Sequence, residues 1–171
     1  MDTIAVLDFG GQYSHLIANR IRRLRVYSEI VPCNIAAADL ERFTGVIFSG
    51  GPHSVLDPGT PTIDPAVLEL GKPILGLCYG HQLIAKLLGG RLSRGIAREY
   101  GLARLQIVAD SPLFTGLSDT EQIWMSHGDA VEELPPGFAS LATTGDCSSA
   151  AVGNEAKRIY GLQFHPEVTD T

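Results

Sequence analysis

The stretch from Lys72 to Gly90, K-P-I-L-G-L-C-Y-G-H-Q-L-I-A-K-L-L-G-G, leaves a chain few ways to fold around it. The apolar run 73–77 reads as a buried strand. Leu83, Ile84, Leu87 and Leu88 then repeat with helical spacing until Gly89-Gly90. Cys78 lies between the two in Gly76-x-Cys78-x-Gly80, the cysteine form of a strand–turn–helix nucleophile elbow. Because Gly76 and Gly80 lack a Cβ, the chain can turn tightly there and hold Cys78 in a strained backbone conformation. The sulfur then projects at a helix N-terminus, where the dipole and free N–H groups favour its anionic form.

The residues before this stretch repeat its grammar. Strands are predicted at 3–9, 26–31 and 45–48. A helix is predicted at 13–24, with short helices at 36–42 and 66–70, the last opened by Asp64-Pro65 as N-cap and first position. Gly10-Gly11 has neither phosphate-binding spacing, G-x-G-x-x-G or P-loop. Alternating strands and helices predict an α/β fold: an open, mostly parallel sheet with helices on both faces, flavodoxin-like. After Gly90 strand-like segments at 104–108, 122–126, 139–143, 150–152 and 158–164 follow with few helices between them. They read as antiparallel hairpins added at an edge of that sheet.

One domain accommodates 171 residues. A net charge of −6 speaks against nucleic acid as a partner, and the basic run 20–25 falls on a predicted helix as a solvated face. No apolar run nears the ~20 residues that span a bilayer, so no membrane partner is expected. Met1 leads directly into a strand, which leaves no room for a signal peptide. Three cysteines without metal-ligand spacing point to no metal site and to a reducing, cytoplasmic setting rather than disulfides.

Cys78 needs a base, and the chain end offers one. His165 and Glu167 flank Pro166 just past a strand. In extended chain residues two apart share a side, so Glu167 can orient the His165 ring as the third member of a triad. His-Pro-Glu alone reads better as a surface turn with a solvated His and Glu. Ser49-Gly50-Gly51-Pro52 ends the strand expected beside the elbow strand. Its N–H groups, with that of Tyr79, are candidates for an oxyanion hole. Ser126-His127-Gly128-Asp129 alone is a polar turn at a strand end. His15 and His53 are expected at the surface, and Cys33 and Cys147 carry no expected role.

Together, Gly76-Leu-Cys-Tyr-Gly-His-Gln82, Ser49-Gly-Gly-Pro52 and Phe164-His-Pro-Glu167 resemble the triad-type (class I) glutamine amidotransferase domain over essentially the whole chain. The segments Asp8-Phe-Gly-Gly-Gln-Tyr13, Arg98-Glu-Tyr-Gly101 and Trp124-Met-Ser-His-Gly-Asp129 are similar to the glutaminase part of GMP synthetases rather than to the anthranilate or carbamoyl-phosphate branches. The resemblance implies that Cys78 attacks the side-chain amide of L-glutamine, His165 moves protons and Glu167 orients it. It implies that the N–H groups of Gly51 and Tyr79 hold the oxyanion, and that Gln82 and the backbone at Ser126 and His127 contact the substrate. No cofactor is implied in this domain. ATP and Mg belong to a partner ATP-pyrophosphatase domain or subunit that aminates XMP to GMP.

His81 stands where many bacterial members carry Met, and is expected on the helix surface or lining the cleft. Members also continue past the His-Pro-Glu motif for about another helix, so a C-terminal helix is expected to be missing here. Two other readings remain open at this point: a stand-alone cysteine hydrolase of γ-glutamyl compounds, and a non-catalytic flavodoxin-like docking module.

Overall fold

The computed structural model describes residues 1–169 and 171, and of residues 96–98 the backbone only, so the Arg98 side chain lies outside the described residues. The first strand, β1 (Thr3–Asp8), packs against α1 (Ser14–Arg23) and pairs in parallel with β2 (Tyr27–Pro32) on one side and β3 (Gly45–Phe48) on the other. Next to β3 runs β4 (Ile74–Leu77), which leads into α2 (Tyr79–Leu87). Then come β5 (Arg91–Ile107), β6 (Thr120–Glu133), β7 (Ala139–Thr143), β8 (Ala151–Asn154) and β9 (Ile159–Leu162). The order across the sheet is β2-β1-β3-β4-β9-β8-β7-β5-β6.

Both faces of the parallel half are covered. Ala5, Val6 and Leu7 are all fully buried. Successive strand side chains point to opposite faces. Accordingly Ala5 and Leu7 pack with Leu83 and Ile84 of α2, while Val6 packs with Ile17 and Ala18 of α1.

The two expected short helices are single 3-10 turns instead, at Ala37–Leu40 and Pro65–Glu69. Asp64 accounts for both. One carboxylate oxygen accepts from the Ala66 N–H at 3.0 Å, the other from the Ala37 N–H at 3.1 Å. Those two backbone bonds hold its pKa below the usual carboxylate value.

The C-terminal half departs from expectation in two ways. First, the final strand is not one of the antiparallel additions to the edge. β9 pairs in parallel with β4 and antiparallel with β8, so it is where the sheet changes sense. Second, the expected strands at 104–108 and 122–126 are the ends of a much longer ribbon. β5 and β6 pair from Gln106↔Thr120 to Arg91↔Glu133, with register shifts at Arg91/Leu92 and Arg94/Glu99. Gly95 and Gly101, both at positive φ, lie within β5. Likewise residues 126–129 lie mid-strand in β6 rather than in a terminal turn.

β1, β3, β4 and β9 are parallel, so their carboxyl ends share one edge of the sheet. Gly10, Gly50, Cys78 and His165 all follow those ends, in the crevice where open α/β sheets place their ligand sites.

Candidate active site

Cys78 adopts φ 51°, ψ −104°, a sparsely populated conformation for a residue with a Cβ. Its neighbours hold it there. Its N–H donates to the Leu162 carbonyl at 2.8 Å, and its carbonyl accepts from the Gln82 N–H at 3.1 Å. As expected, the strained backbone belongs to Cys78, which has the positive φ, and Gly76 and Gly80 allow the tight turn by close packing. A Cβ at Gly76 would lie 2.6 Å from the Gly80 carbonyl, and one at Gly80 would lie 2.5 Å from Phe48 Cβ.

His165 arrives from β9 and is fastened by its N–H to the Trp124 carbonyl of β6 at 3.1 Å. Its Nδ1 lies 2.8 Å from Glu167 Oε1, so the ring donates there, and the two residues are 6% and 3% exposed. The route to that contact is a turn and not extended chain. The Val168 N–H reaches the His165 carbonyl at 3.4 Å, and Pro166, with its fixed φ, suits the second turn position. Arg20 Nε of α1 donates to the Glu167 carbonyl at 3.1 Å. The Tyr13 ring meets the His165 ring edge-on, with centroids 5.7 Å apart. The predicted helix 13–24 begins one residue later, with Tyr13 as its N-cap lining the cavity beside Cys78.

Burial alone would lower the His165 pKa. Hydrogen bonding and charge from Cys78 and Glu167 outweigh it and hold His165 at about 10. The imidazole therefore carries its second proton at neutral pH, beside the sulfur. A Cβ on Gly50 would lie 3.1 Å from His165 Cε1 and 3.6 Å from Cys78 Cβ, so both groups flank the Gly50-Gly51 backbone.

Two cavities meet at Cys78. One, of about 380 Å³, is lined by Gly10, Gly11, Gln12, Tyr13 and His165; the other, of about 300 Å³, by Tyr79, Gln82, Tyr100, His127 and Asp129. Gly51, Pro52, Cys78 and Ser126 border both. Among the described residues, the Gly51 and Tyr79 N–H groups donate to no protein acceptor.

The Gln82 side chain is already engaged. Its Nε2 donates to the Asp129 carbonyl at 3.0 Å and to Gln163 Oε1 at 3.1 Å. The His127 side chain turns away from Cys78, with Nδ1 on the Asp129 carbonyl at 2.8 Å and Nε2 on Glu99 Oε2 at 3.2 Å. Glu99, His127 and Cys147 bring potential metal-ligand atoms within 4.8 Å of one another, but protein hydrogen bonds occupy the His127 and Glu99 atoms. His81 is not on the helix surface. It is buried against Gly161, where even a Cβ would fall 2.3 Å from its Nδ1. Burial, aided by nearby His127, lowers its pKa to about 3, which makes it a neutral core residue. Asp129 and Gln163 were not expected at the site, though each lies within or beside a motif already noted. His15 and His53 are exposed as expected.

A sequence model of the glutamine amidotransferase class-I family matches residues 5–171. The chain belongs to that family. Among curated amidotransferase relatives, it is 49% identical to a GMP synthase [glutamine-hydrolyzing] of Clostridium novyi, covering 99% of this chain and 34% of that protein. It is 52% identical to the Aspergillus oryzae protein of the same name, over 99% of this chain and 32% of that one. The chain thus spans about a third of the length of the curated relatives it matches. Among solved structures, a Thermoplasma acidophilum protein assigned as a GMP synthase subunit superposes with a TM-score of 0.85 at 29% identity, covering 100% of this chain and 87% of that one. A Thermotoga maritima glutamine amidotransferase shares the fold with a TM-score of 0.79 at 22% identity, over 98% and 76% of the two chains.

Proposed function

We propose that this amidotransferase domain hydrolyses L-glutamine to glutamate and ammonia, and that the ammonia serves an ATP-dependent synthetase that aminates XMP to GMP. The observation that carries this reading is the meeting of Cys78, His165 and Glu167 at the carboxyl ends of adjacent parallel strands, in a chain about half identical to glutamine-hydrolysing GMP synthases over nearly its whole length.

The chemistry follows from the geometry. The Cys78 sulfur attacks the side-chain amide carbon of glutamine, and the Gly51 and Tyr79 N–H groups take the negative oxygen. His165, held protonated, gives its proton to the departing nitrogen, and ammonia leaves. The now neutral ring takes a proton from water, which attacks the γ-glutamyl thioester and releases glutamate, restoring the sulfur. Glu167 keeps the ring oriented and stabilises its charged form.

The cavity beside Gln82 suits the amino-acid end of the substrate. The Asp129 carboxylate, held by the Ser54 hydroxyl, offers the negative charge an α-ammonium needs, and among the described residues the Gln82 side chain bonds through Nε2, which leaves Oε1 to the cavity. The Gly10–Tyr13 cavity, on the His165 side, takes the ammonia and admits water.

ATP and Mg belong to the synthetase unit, which we place in the part of the relatives' length that this chain does not span. The test is ammonia release from L-glutamine, with L-asparagine as control, by the chain alone and with an XMP-aminating synthetase plus XMP, ATP and Mg. Release from glutamine only, increased by the loaded synthetase, is expected. No release under either condition would overturn the proposal.

A further inference from the structure

A line of buried amides runs from β6 to the Cys78 sulfur, and its polarity is fixed at one end. The Asp129 carbonyl can only accept, so the Gln82 amide must present its NH2 group to it, at 3.0 Å. The same NH2 group donates to Gln163 Oε1 at 3.1 Å. With its oxygen thus committed, Gln163 has only its NH2 group left to face Cys78, and Nε2 lies 3.7 Å from Sγ, within reach for a large sulfur acceptor. Gln163 is completely buried and Gln82 is 4% exposed, so water does not compete for these bonds. On its far side the Asp129 carbonyl is held by His127 Nδ1 at 2.8 Å. An amide free to flip would place its oxygen against the sulfur as often as its nitrogen; this one cannot.

We propose that Gln163 is the hydrogen-bond donor that stabilises the anionic Cys78 sulfur, and that Gln82 is a positioning residue that keeps the Gln163 amide in the donating orientation. The inference rests on the reading of Cys78 as nucleophile. As a thiol, Cys78 has another partner, the Ser126 carbonyl at 3.5 Å, to which S–H can donate. A thiol sulfur accepts only weakly, so Gln163 stabilises the anion more than the thiol, a hydrogen bond to a charged atom being the stronger kind. Its effect is largest when the sulfur is about to attack.

The test is the rate of Cys78 alkylation by iodoacetamide at neutral pH, followed by mass mapping of the Cys78 peptide. This readout needs no glutamine, so it stands or falls separately from the proposed function. Gln163→Met keeps the volume and removes the donor, and alkylation is expected to slow about tenfold. Gln163→Glu keeps the shape, still accepts from Gln82, and sets a carboxylate oxygen against the sulfur; it should be slower still, and it carries the test if the Met variant does not fold. Gln82→Met frees the Gln163 amide to flip and should slow alkylation by a smaller factor. In the double variant Gln82→Met/Gln163→Met the rate should equal that of Gln163→Met alone, because Gln82 acts only through Gln163. Alkylation at the unaltered rate in both Gln163 variants would overturn the proposal. Losses that multiply in the double variant would overturn the role of Gln82.

Discussion

The backbone N–H of Cys78 donates to the Leu162 carbonyl at 2.8 Å, so the strained elbow is pinned to the strand that delivers His165. The same strand pairing places Leu77 against Leu162 and Gly76 against Gly161. Residues far apart in sequence are thus fixed across one ladder, and their side chains need only short turns to meet.

The tightness of the elbow predicts how it fails. A Cβ at Gly80 would fall 2.5 Å from Phe48 Cβ and 2.7 Å from the Phe48 carbonyl oxygen, atoms on a central strand that cannot yield cheaply. Gly80→Ala is expected to cost about 2 kcal/mol of stability, in the range of overpacked cores. Loss of glutaminase activity should accompany it. Urea titration beside an ammonia assay checks both.

Glu167→Gln should separate orientation from attack. The glutamine side chain still fits beside His165 Nδ1, but it carries no charge to favour the imidazolium. Cys78 should remain open to alkylation, while kcat for glutamine falls by about 10² to 10⁴, as when the third member of a triad loses its charge. Equal loss of alkylation and turnover would contradict that division of roles.

His165 also makes an alkaline signature. Its folded-state pKa, about 10, lies above its ordinary 6.5. The stability it contributes is therefore complete below pH 6.5 and is lost as pH rises toward 10. Denaturation series across that interval should fall more steeply for the native chain than for Cys78→Ala, which removes one of the two groups that raise the pKa.

His81 has the opposite sign. Its pKa is lowered to about 3, so between pH 6.5 and 3 the unfolded chain takes up a proton that the folded chain refuses. Stability should fall with acid by up to about 1.4 kcal/mol per pH unit from this residue. Among the described residues, neither buried ring nitrogen has a hydrogen-bond partner. His81→Met fills similar space without polar atoms, so it should flatten the acid limb and raise stability at pH 5 in thermal melts.

Much of the site was legible because its signals are local. The elbow, Gly50-Gly51 and His-Pro-Glu are short segments whose glycines, proline, cysteine and histidine point to the proposed chemistry within a few residues. The parallel half was legible too, since strand and helix periods alternate there. The β5–β6 ribbon was not. Its pairing is set by long-range register, and exposed Tyr100 and Leu102 leave no clean alternation to read. The parallel placement of β9 was equally hidden, because a short apolar strand looks the same in either direction. Gln163 was missed because its meaning lies in an amide orientation that only the contacts of Gln82 and Asp129 decide.

In the proposed reaction Cys78 carries the glutamyl group during turnover. Mixing the chain with L-glutamine, quenching in acid and measuring intact mass tests it directly, with Glu167→Gln used to slow release of the intermediate. One glutamyl adduct mapped to Cys78 is expected, absent from Cys78→Ala and absent with L-asparagine. Glutamine turnover that leaves no adduct on Cys78, or that survives in Cys78→Ala, would contradict it.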